Sequence, residues 1–311
     1  MTILFSSNQP YMRAENIRAL MEGYPGEKEF IQANPWQPNP NLWSKRFAIR
    51  VTDEFIGRSP GKAVMIGHGI AGGKTYGLDQ PRPYHNREQA KLLNYVITTS
   101  REMVPLVAKQ SGVPEDRVLP LGMPRTDGYF GKSKGDGRTV LSGKRAYLYA
   151  PTFHGKGEGS APDIDWEYID GHLQDDEIFA VKPHMVTKHL LPHRNFRHII
   201  ELSYNDPSRD YLIDCDVLIT DYSSIMFDAH VLEKPVVLFE KRKGYTDSRG
   251  MYLPYPDGYA SRYCRSEDDL IHLCRTADGP GAEDILCREL TAGACDGHSV
   301  ERIVKLLESM L

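Results

Sequence analysis

Four short segments each end an apolar run in residues that could hold or transfer a charged group. The first is Val217-Leu218-Ile219-Thr220-Asp221-Tyr222-Ser223-Ser224-Ile225-Met226-Phe227-Asp228. An apolar strand runs into two serines and then into a helical pattern. Ser223 or Ser224 is expected to cap that helix. Backbone N–H groups at a helix start, with the dipole behind them, favour an anion such as phosphate. Asp228, about one turn further on, can reach a sugar hydroxyl while the cap holds the phosphate. The plainer reading of the same residues is a capped helix with a solvated carboxylate.

The second segment is Glu177-Ile178-Phe179-Ala180-Val181-Lys182-Pro183-His184. Pro183 stops the strand, so Lys182 and His184 are expected at a strand's carboxyl end, where α/β proteins build ligand sites. A lysine there suits a phosphate oxygen as a point charge, and His184 can serve a leaving phosphate as a proton donor. In the third, Ala63-Val64-Met65-Ile66-Gly67-His68-Gly69-Ile70-Ala71-Gly72-Gly73-Lys74, a strand ends in a histidine between two glycines. His68 is read as a general base and Gly69 to Lys74 as a substrate loop. The fourth, Tyr147-Leu148-Tyr149-Ala150-Pro151-Thr152-Phe153-His154-Gly155, places Thr152 where it can hydrogen-bond a phosphate or base.

Other constellations are weaker. His184, His189, His193 and His198 look like metal ligands by composition, but Pro192 interrupts the helical pairing and no His-Glu-x-x-His occurs. No metal site is expected. No Gly-x-Ser-x-Gly elbow marks a serine hydrolase. The Gly-x-Gly-x-x-Gly dinucleotide fingerprint is read as absent, which counts against NAD or FAD, and no cofactor is expected.

The elements that must carry these residues alternate. Strands are expected at 2–5, 63–67, 95–99, 118–121, 145–150, 178–182, 198–202, 217–220 and 236–239. Helices are expected at 15–21, 101–110, 210–215, 224–232, 267–276 and 299–310. Continuous apolar strands alternating with helices point to parallel sheets in α/β layers. A glycine-rich, charged stretch, Gly131-Lys132-Ser133-Lys134-Gly135-Asp136-Gly137-Arg138, reads as a linker. The expected organisation is a first domain over residues 1–135, a second over 140–298 and a C-terminal helix over 299–311.

Composition sets outer bounds. The 311 residues fit about two domains. The formal net charge of −4 hides a split. Residues 1–140 hold 19 Lys+Arg against 13 Asp+Glu, whereas residues 141–311 hold 19 against 29. The first part is therefore net +6 and the second net −10. Such asymmetry hints at an anionic partner for the basic part. Cys215, Cys264, Cys274, Cys287 and Cys295 include no Cys-x-x-Cys pair, and free thiols are expected. No 18-residue apolar run and no leader-like start is present, and the first strand comes early. A cytoplasmic protein without a long N-terminal extension is the expectation.

In order along the chain, these pieces resemble the CDP-glycerol glycerophosphotransferases of the teichoic-acid polymerase and primase type. The matching residues are His68-Gly69, Leu121-Gly122-Met123-Pro124-Arg125-Thr126-Asp127, Tyr149-Ala150-Pro151-Thr152-Phe153, Lys182-Pro183-His184, Thr220 to Asp228 and Lys234-Pro235-Val236-Val237-Leu238-Phe239. Arg249-Gly250 and Asp296-Gly297-His298-Ser299-Val300-Glu301-Arg302-Ile303-Val304 complete the set. Met185 stands where the family usually has a second proline, and the loop from Gly69 to Gly77 differs from the commoner form.

The resemblance implies a GT-B type fold, with two Rossmann-like domains facing a central cleft. It implies a nucleotide donor on the C-terminal domain, an acceptor on the N-terminal one, and no cofactor. The implied reaction moves glycerol phosphate, or a related alditol phosphate, from a CDP donor to a hydroxyl of a lipid-linked or polymeric acceptor and releases CMP. The implied roles are His68 as base and His184 with Lys182 at the pyrophosphate. Ser223, Ser224 and Thr152 fall on phosphate oxygens, Asp228 on the ribose and Arg249 on phosphate. A nucleotide-sugar-dependent glycosyltransferase or epimerase on the same fold is the alternative. An anionic membrane surface is the expected further partner, met at its inner face by the basic half, and nucleic acid is not expected.

Overall fold

The computed structural model describes residues 1–33, 46–53, 61–67, 69–70, 72–73, 90–137, 139–141, 143–152, 163–184, 187–192, 194–241 and 250–311. The chain divides into two units, Met1–Phe130 with Glu289–Leu311, and Gly131–Arg288. The expected linker belongs to the second unit, where turns bind it. Asp214 accepts the N–H groups of Gly135 (2.8 Å) and Gly137 (3.1 Å), and Lys134 reaches Asp216 at 2.5 Å. Residues 289–298, expected in the second domain, fall in the first unit with the C-terminal helix.

Unit 1 contains a six-stranded parallel sheet of β1 (Thr2–Ser7), β2 (Lys28–Gln32), β3 (Phe47–Thr52), β4 (Lys62–Met65), β5 (Tyr95–Thr98) and β6 (Val118–Pro120). The order is β2-β1-β3-β4-β5-β6, a flavodoxin-like arrangement whose strand order reverses between β1 and β3. Helices α1 (Glu15–Gly23), α2 (Val104–Ser111) and α8 (Ser299–Met310) cover it. Ile17 and Leu20 of α1 and Ile303 and Leu307 of α8 form one core with Ile3, Phe5, Ile49, Val51 and Val64. On the opposite face Ala108 of α2 packs with Ala63, Met65, Val96 and Val118. Burial of alternate residues on both faces explains the near-continuous apolar strands.

Two of the recognised sequence pieces meet in unit 1. The Asp127 carboxylate accepts the N–H groups of Ser299 (3.0 Å) and Val300 (2.7 Å), capping the start of α8. Arg302 donates to Leu121 O at 3.1 Å and to Asp296 at 2.8 Å. Gly122 takes φ +92, and a Cβ there would strike Ser299 and Ala294. These residues fasten the last helix to the loop after β6.

Unit 2 contains a second parallel sheet of β7 (Arg145–Tyr149), β8 (Glu177–Val181), β9 (Ile199–Glu201), β10 (Val217–Thr220), β11 (Val236–Phe239) and β12 (Arg262–Cys264). The order is β12-β11-β10-β7-β8-β9. Counted within the unit this is 3-2-1-4-5-6, the order of dinucleotide-binding folds, which reverses between β7 and β10. Its helices are α3 (Trp166–His172), α4 (Ser208–Asp214), α5 (Ile225–Val231) and α6 (Glu267–Thr276); α7 (Ala282–Ala292) carries the chain back to unit 1. Tyr149 centres an aromatic core, with ring centroids 6.1 Å from both Trp166 and Phe179 and 6.3 Å from Phe239. All five cysteines are free and buried. Among the described residues no helix is long and apolar enough to cross a membrane.

Candidate functional site

The densest set of expected site residues lies at the carboxyl edge of the unit 2 sheet, where the strand order reverses. There β7 runs into Ala150-Pro151-Thr152 and β10 into Asp221-Tyr222-Ser223. Ala150 N–H donates to Ile219 O at 2.9 Å, and the Thr220 hydroxyl donates to Ala150 O at 2.7 Å. The Asp221 carboxylate then accepts two N–H groups on one oxygen, from Thr152 at 2.7 Å and Tyr222 at 2.6 Å. These bonds hold the two loops in register as the strands end. Thr152 is buried, and its hydroxyl oxygen has no hydrogen-bond partner among the described residues. A buried hydroxyl of this kind suits an incoming oxygen acceptor.

Lys182 directly follows the neighbouring strand, β8. Its N–H donates to Tyr149 O at 2.8 Å, so β8 delivers it next to the β7 loop. The side chain is buried at 5% exposure, and its ammonium donates to Pro183 O at a long 3.3 Å. An ammonium has three donors, so this contact leaves capacity for an anion. Burial holds the Lys182 pKa below the usual lysine value, and the nearby Asp206 carboxylate partly opposes that. His184 is exposed, with its carbonyl accepting the N–H groups of Thr187 and Lys188 at 2.9 Å each.

At the start of α5 the expectation is corrected in one respect. Ser224 occupies the N-cap position but has helical dihedrals (φ −64, ψ −9), and no side-chain cap hydrogen bond forms. A capping side chain reaches its N–H from extended backbone, which Ser224 lacks here. Its hydroxyl therefore does not act as the cap. Ser223 is half-buried and Ser224 exposed. With only seven residues, α5 supplies a modest dipole, so the fixed cation and hydroxyls carry more of any anion binding. Asp228 is buried, at 6% exposure, rather than solvated.

His68 and Arg249 lie outside the described residues. Of the clustered histidines, His189 pairs with Glu201 at 2.8 Å, and the buried His198 has its N–H on Asp170 at 2.7 Å. His193 also lies outside the described residues. The glycine reading needs a correction as well. Gly67-His68-Gly69-Ile70-Ala71-Gly72 does have Gly-x-Gly-x-x-Gly spacing. It follows β4, however, whereas the fingerprint belongs to a first strand at the point of order reversal, which in unit 1 lies between β1 and β3. Two buried carboxylates that hydrogen-bond Tyr222, Asp221 through its N–H and Glu240 through its hydroxyl, escaped sequence reasoning. A lone carboxylate directly after an apolar run was the available signal for both.

The chain matches, over residues 47–309, the family model described as CDP-Glycerol:Poly(glycerophosphate) glycerophosphotransferase. It is 25% identical over 266 residues to the teichoic acid ribitol-phosphate polymerase TarL of Staphylococcus aureus, covering 79% of this chain and 47% of that protein. The chain thus spans about half the length of the curated relatives it matches first. The structure of the wall teichoic acid polymerase TagF superimposes with a TM-score of 0.75 at 18% identity, over 99% of this chain and 88% of that one. A UDP-GlcNAc 2-epimerase from Neisseria meningitidis gives 0.60 at 13% identity, over 99% and 100%. Both likenesses concern the fold, which is GT-B-like. The family match covers most of the sequence and includes every recognised piece, so the chain belongs to the CDP-glycerol:poly(glycerophosphate) glycerophosphotransferase family.

Proposed function

We propose that this chain transfers glycerol phosphate, or a related alditol phosphate, from a CDP donor to a hydroxyl of a lipid-linked or polymeric acceptor and releases CMP. Its product would be a teichoic-acid-like or capsular polymer. Family membership supports the reaction class. The observation that carries the donor assignment is the tie between Thr152 and Asp221 where the unit 2 strand order reverses, with Lys182 at the end of the neighbouring β8 and Ser223 in the Asp221 turn. Ligands of open α/β sheets bind at that position.

In this reading the acceptor oxygen forms a bond to the donor's distal phosphorus, and the bond from phosphorus to the CMP oxygen breaks. His68 takes the acceptor's proton. Lys182 balances charge on the departing CMP, with His184 as its proton donor. Thr152, Ser223 and Ser224 hold phosphate oxygens, Arg249 adds a phosphate contact and Asp228 holds the ribose. The acceptor would bind unit 1 and the donor unit 2. The donor alditol is left as a class, since TarL is named for ribitol phosphate. Basic residues before position 140 would meet an anionic membrane surface at its inner face. Absent or salt-insensitive binding to anionic vesicles would contradict that part.

The test is a donor panel of CDP-glycerol, CDP-ribitol and UDP-sugars, scored by the nucleotide released. Release of CMP with a CDP-alditol is expected. Release of UDP from a UDP-sugar, with both CDP-alditols left intact, would transfer the assignment to the nucleotide-sugar alternative.

A further inference from the structure

Glu240 follows β11 directly and is buried, at 6% exposure. Three side chains converge on its carboxylate: the Tyr222 hydroxyl, the Tyr263 hydroxyl at 2.5 Å, and Arg265 through Nε at 3.2 Å and a terminal nitrogen at 2.7 Å. Burial pushes the Glu240 pKa up, but the two phenols and the guanidinium outweigh it and hold the group below the usual carboxylate range. Burial, then the bond to Glu240, pushes the Tyr222 phenol up, so it stays a donor.

Tyr222 links this carboxylate to the donor site. Its N–H lies on the Asp221 oxygen that also holds Thr152, and its ring packs on Tyr255 with centroids 5.0 Å apart. Tyr255 in turn meets the ring of Tyr263 at 6.2 Å. Ring, hydroxyl and backbone of Tyr222 are each fixed, and Ser223 is the next residue. A buried carboxylate is costly unless fully satisfied, and apolar packing often serves stability as well or better. No step of the transfer uses Glu240.

We propose that Glu240 is a positioning residue for a nucleoside diphosphate. It fixes Tyr222, and through Tyr222 it fixes the Asp221–Ser223 turn and the Thr152 amide in the geometry that the diphosphate needs. The proposal rests on the donor reading above for its ligand, and on the hydrogen bonds alone for its mechanism.

The test uses the full chain with Glu240→Gln, Tyr222→Phe and the double substitution. Amide hydrogen exchange and CDP affinity are measured on each. Glu240→Gln should speed exchange at Thr152 and Tyr222 and weaken CDP binding roughly five- to tenfold, the worth of about one hydrogen bond. Turnover at saturating donor should stay within about twofold, because a positioning loss of this kind falls on binding. The double variant should bind CDP no more weakly than Tyr222→Phe alone, since both act through one contact. Unchanged exchange at the two amides, additive losses in the double variant, or a lowered Tm with unaltered CDP affinity would each overturn the proposal. If the wild type binds neither CDP nor CDP-glycerol, the donor reading fails, and exchange at Thr152 and Tyr222 still decides whether Glu240 positions them.

Discussion

Asp221 holds the main-chain N–H of Thr152 at 2.7 Å, tying the loop after β10 to the loop after β7. The two residues are 69 positions apart in sequence, yet their contact joins the two loops where the unit 2 strand order reverses. Replacing Asp221 with alanine leaves two N–H groups without their acceptor. We expect a loss of about 2–4 kcal/mol in unfolding free energy, together with lost CDP affinity. Urea unfolding and nucleotide titration check both. A stable variant with full affinity would show that the tie is dispensable.

Lys182 and His184 should separate in their effects. Lys182→Ala should lower kcat/KM by about a hundredfold or more, the scale for one charge-stabilising donor in a transfer site. His184→Ala should act mainly on kcat, by roughly a hundredfold, as the loss of a proton donor does. Because burial holds the Lys182 pKa below 10.5, donor affinity should be full below that lowered pKa. It should fall as pH rises through it, ahead of an ordinary lysine. A flat affinity profile up to the usual lysine range would remove Lys182 from the anion site.

Asp127 offers a contrast, because its motif looks chemical in sequence but is structural in the fold. Its carboxylate caps α8 through Ser299 and Val300. Asp127→Ala should reduce stability by about 1–2 kcal/mol, in the range of a lost helix cap, without changing CDP affinity. Differential scanning calorimetry and titration separate the outcomes. A selective loss of CDP affinity would contradict the structural assignment.

A buried pair in unit 2 predicts opposed pH effects. His230 donates its Nε2–H to Tyr259 O at 2.8 Å, and its Nδ1 lies 3.9 Å from Asp284. Burial lowers the His230 pKa from 6.5 to about 4, against the Tyr259 carbonyl. Burial raises that of Asp284 from 3.8 to about 6, against the Gly281 N–H and Arg262. Between pH 4 and 6.5 the unfolded chain binds a proton at His230 that the native state refuses, so stability rises with pH. Between pH 3.8 and 6 the native state keeps a proton on Asp284 that the unfolded chain releases, so stability falls with pH. The two trends nearly cancel in the wild type. Asp284→Asn should expose the rising trend and His230→Gln the falling one, each by roughly 3 kcal/mol across its window. Urea midpoints between pH 4 and 7 measure this, and parallel profiles for the two variants would contradict it.

Much of the framework was legible in the sequence because both sheets are parallel and buried. The runs 217–220 and 236–239 are strands over those same residues, and 267–276 and 299–310 are helices over theirs. The missed strands break the apolar pattern for physical reasons. β2, at a sheet edge, flanks Phe30 and Ile31 with Lys28, Glu29 and Gln32. In β3 the buried Arg50 interrupts the run, with its Nε on the Ser6 hydroxyl at 3.2 Å. β12 has three residues, Arg262-Tyr263-Cys264. Among the candidate site residues, Lys182 and Thr152 stood out in the sequence because Lys182 follows β8 directly and Thr152 lies three residues past β7. Asp221 and Glu240 did not, because each acts on a partner that only the fold brings near. The Ser224 cap failed because the chain turns helical one residue earlier than a capping side chain requires.

The central claim is that the donor's diphosphate sits over the carboxyl ends of β7, β8 and β10. Determining the structure of the protein with CDP-glycerol bound tests it most directly. The account predicts diphosphate oxygens within hydrogen-bonding distance of the Thr152 hydroxyl, the Lys182 ammonium and Ser223, with the ribose at Asp228. A diphosphate bound elsewhere, with Thr152 and Lys182 untouched, would contradict it.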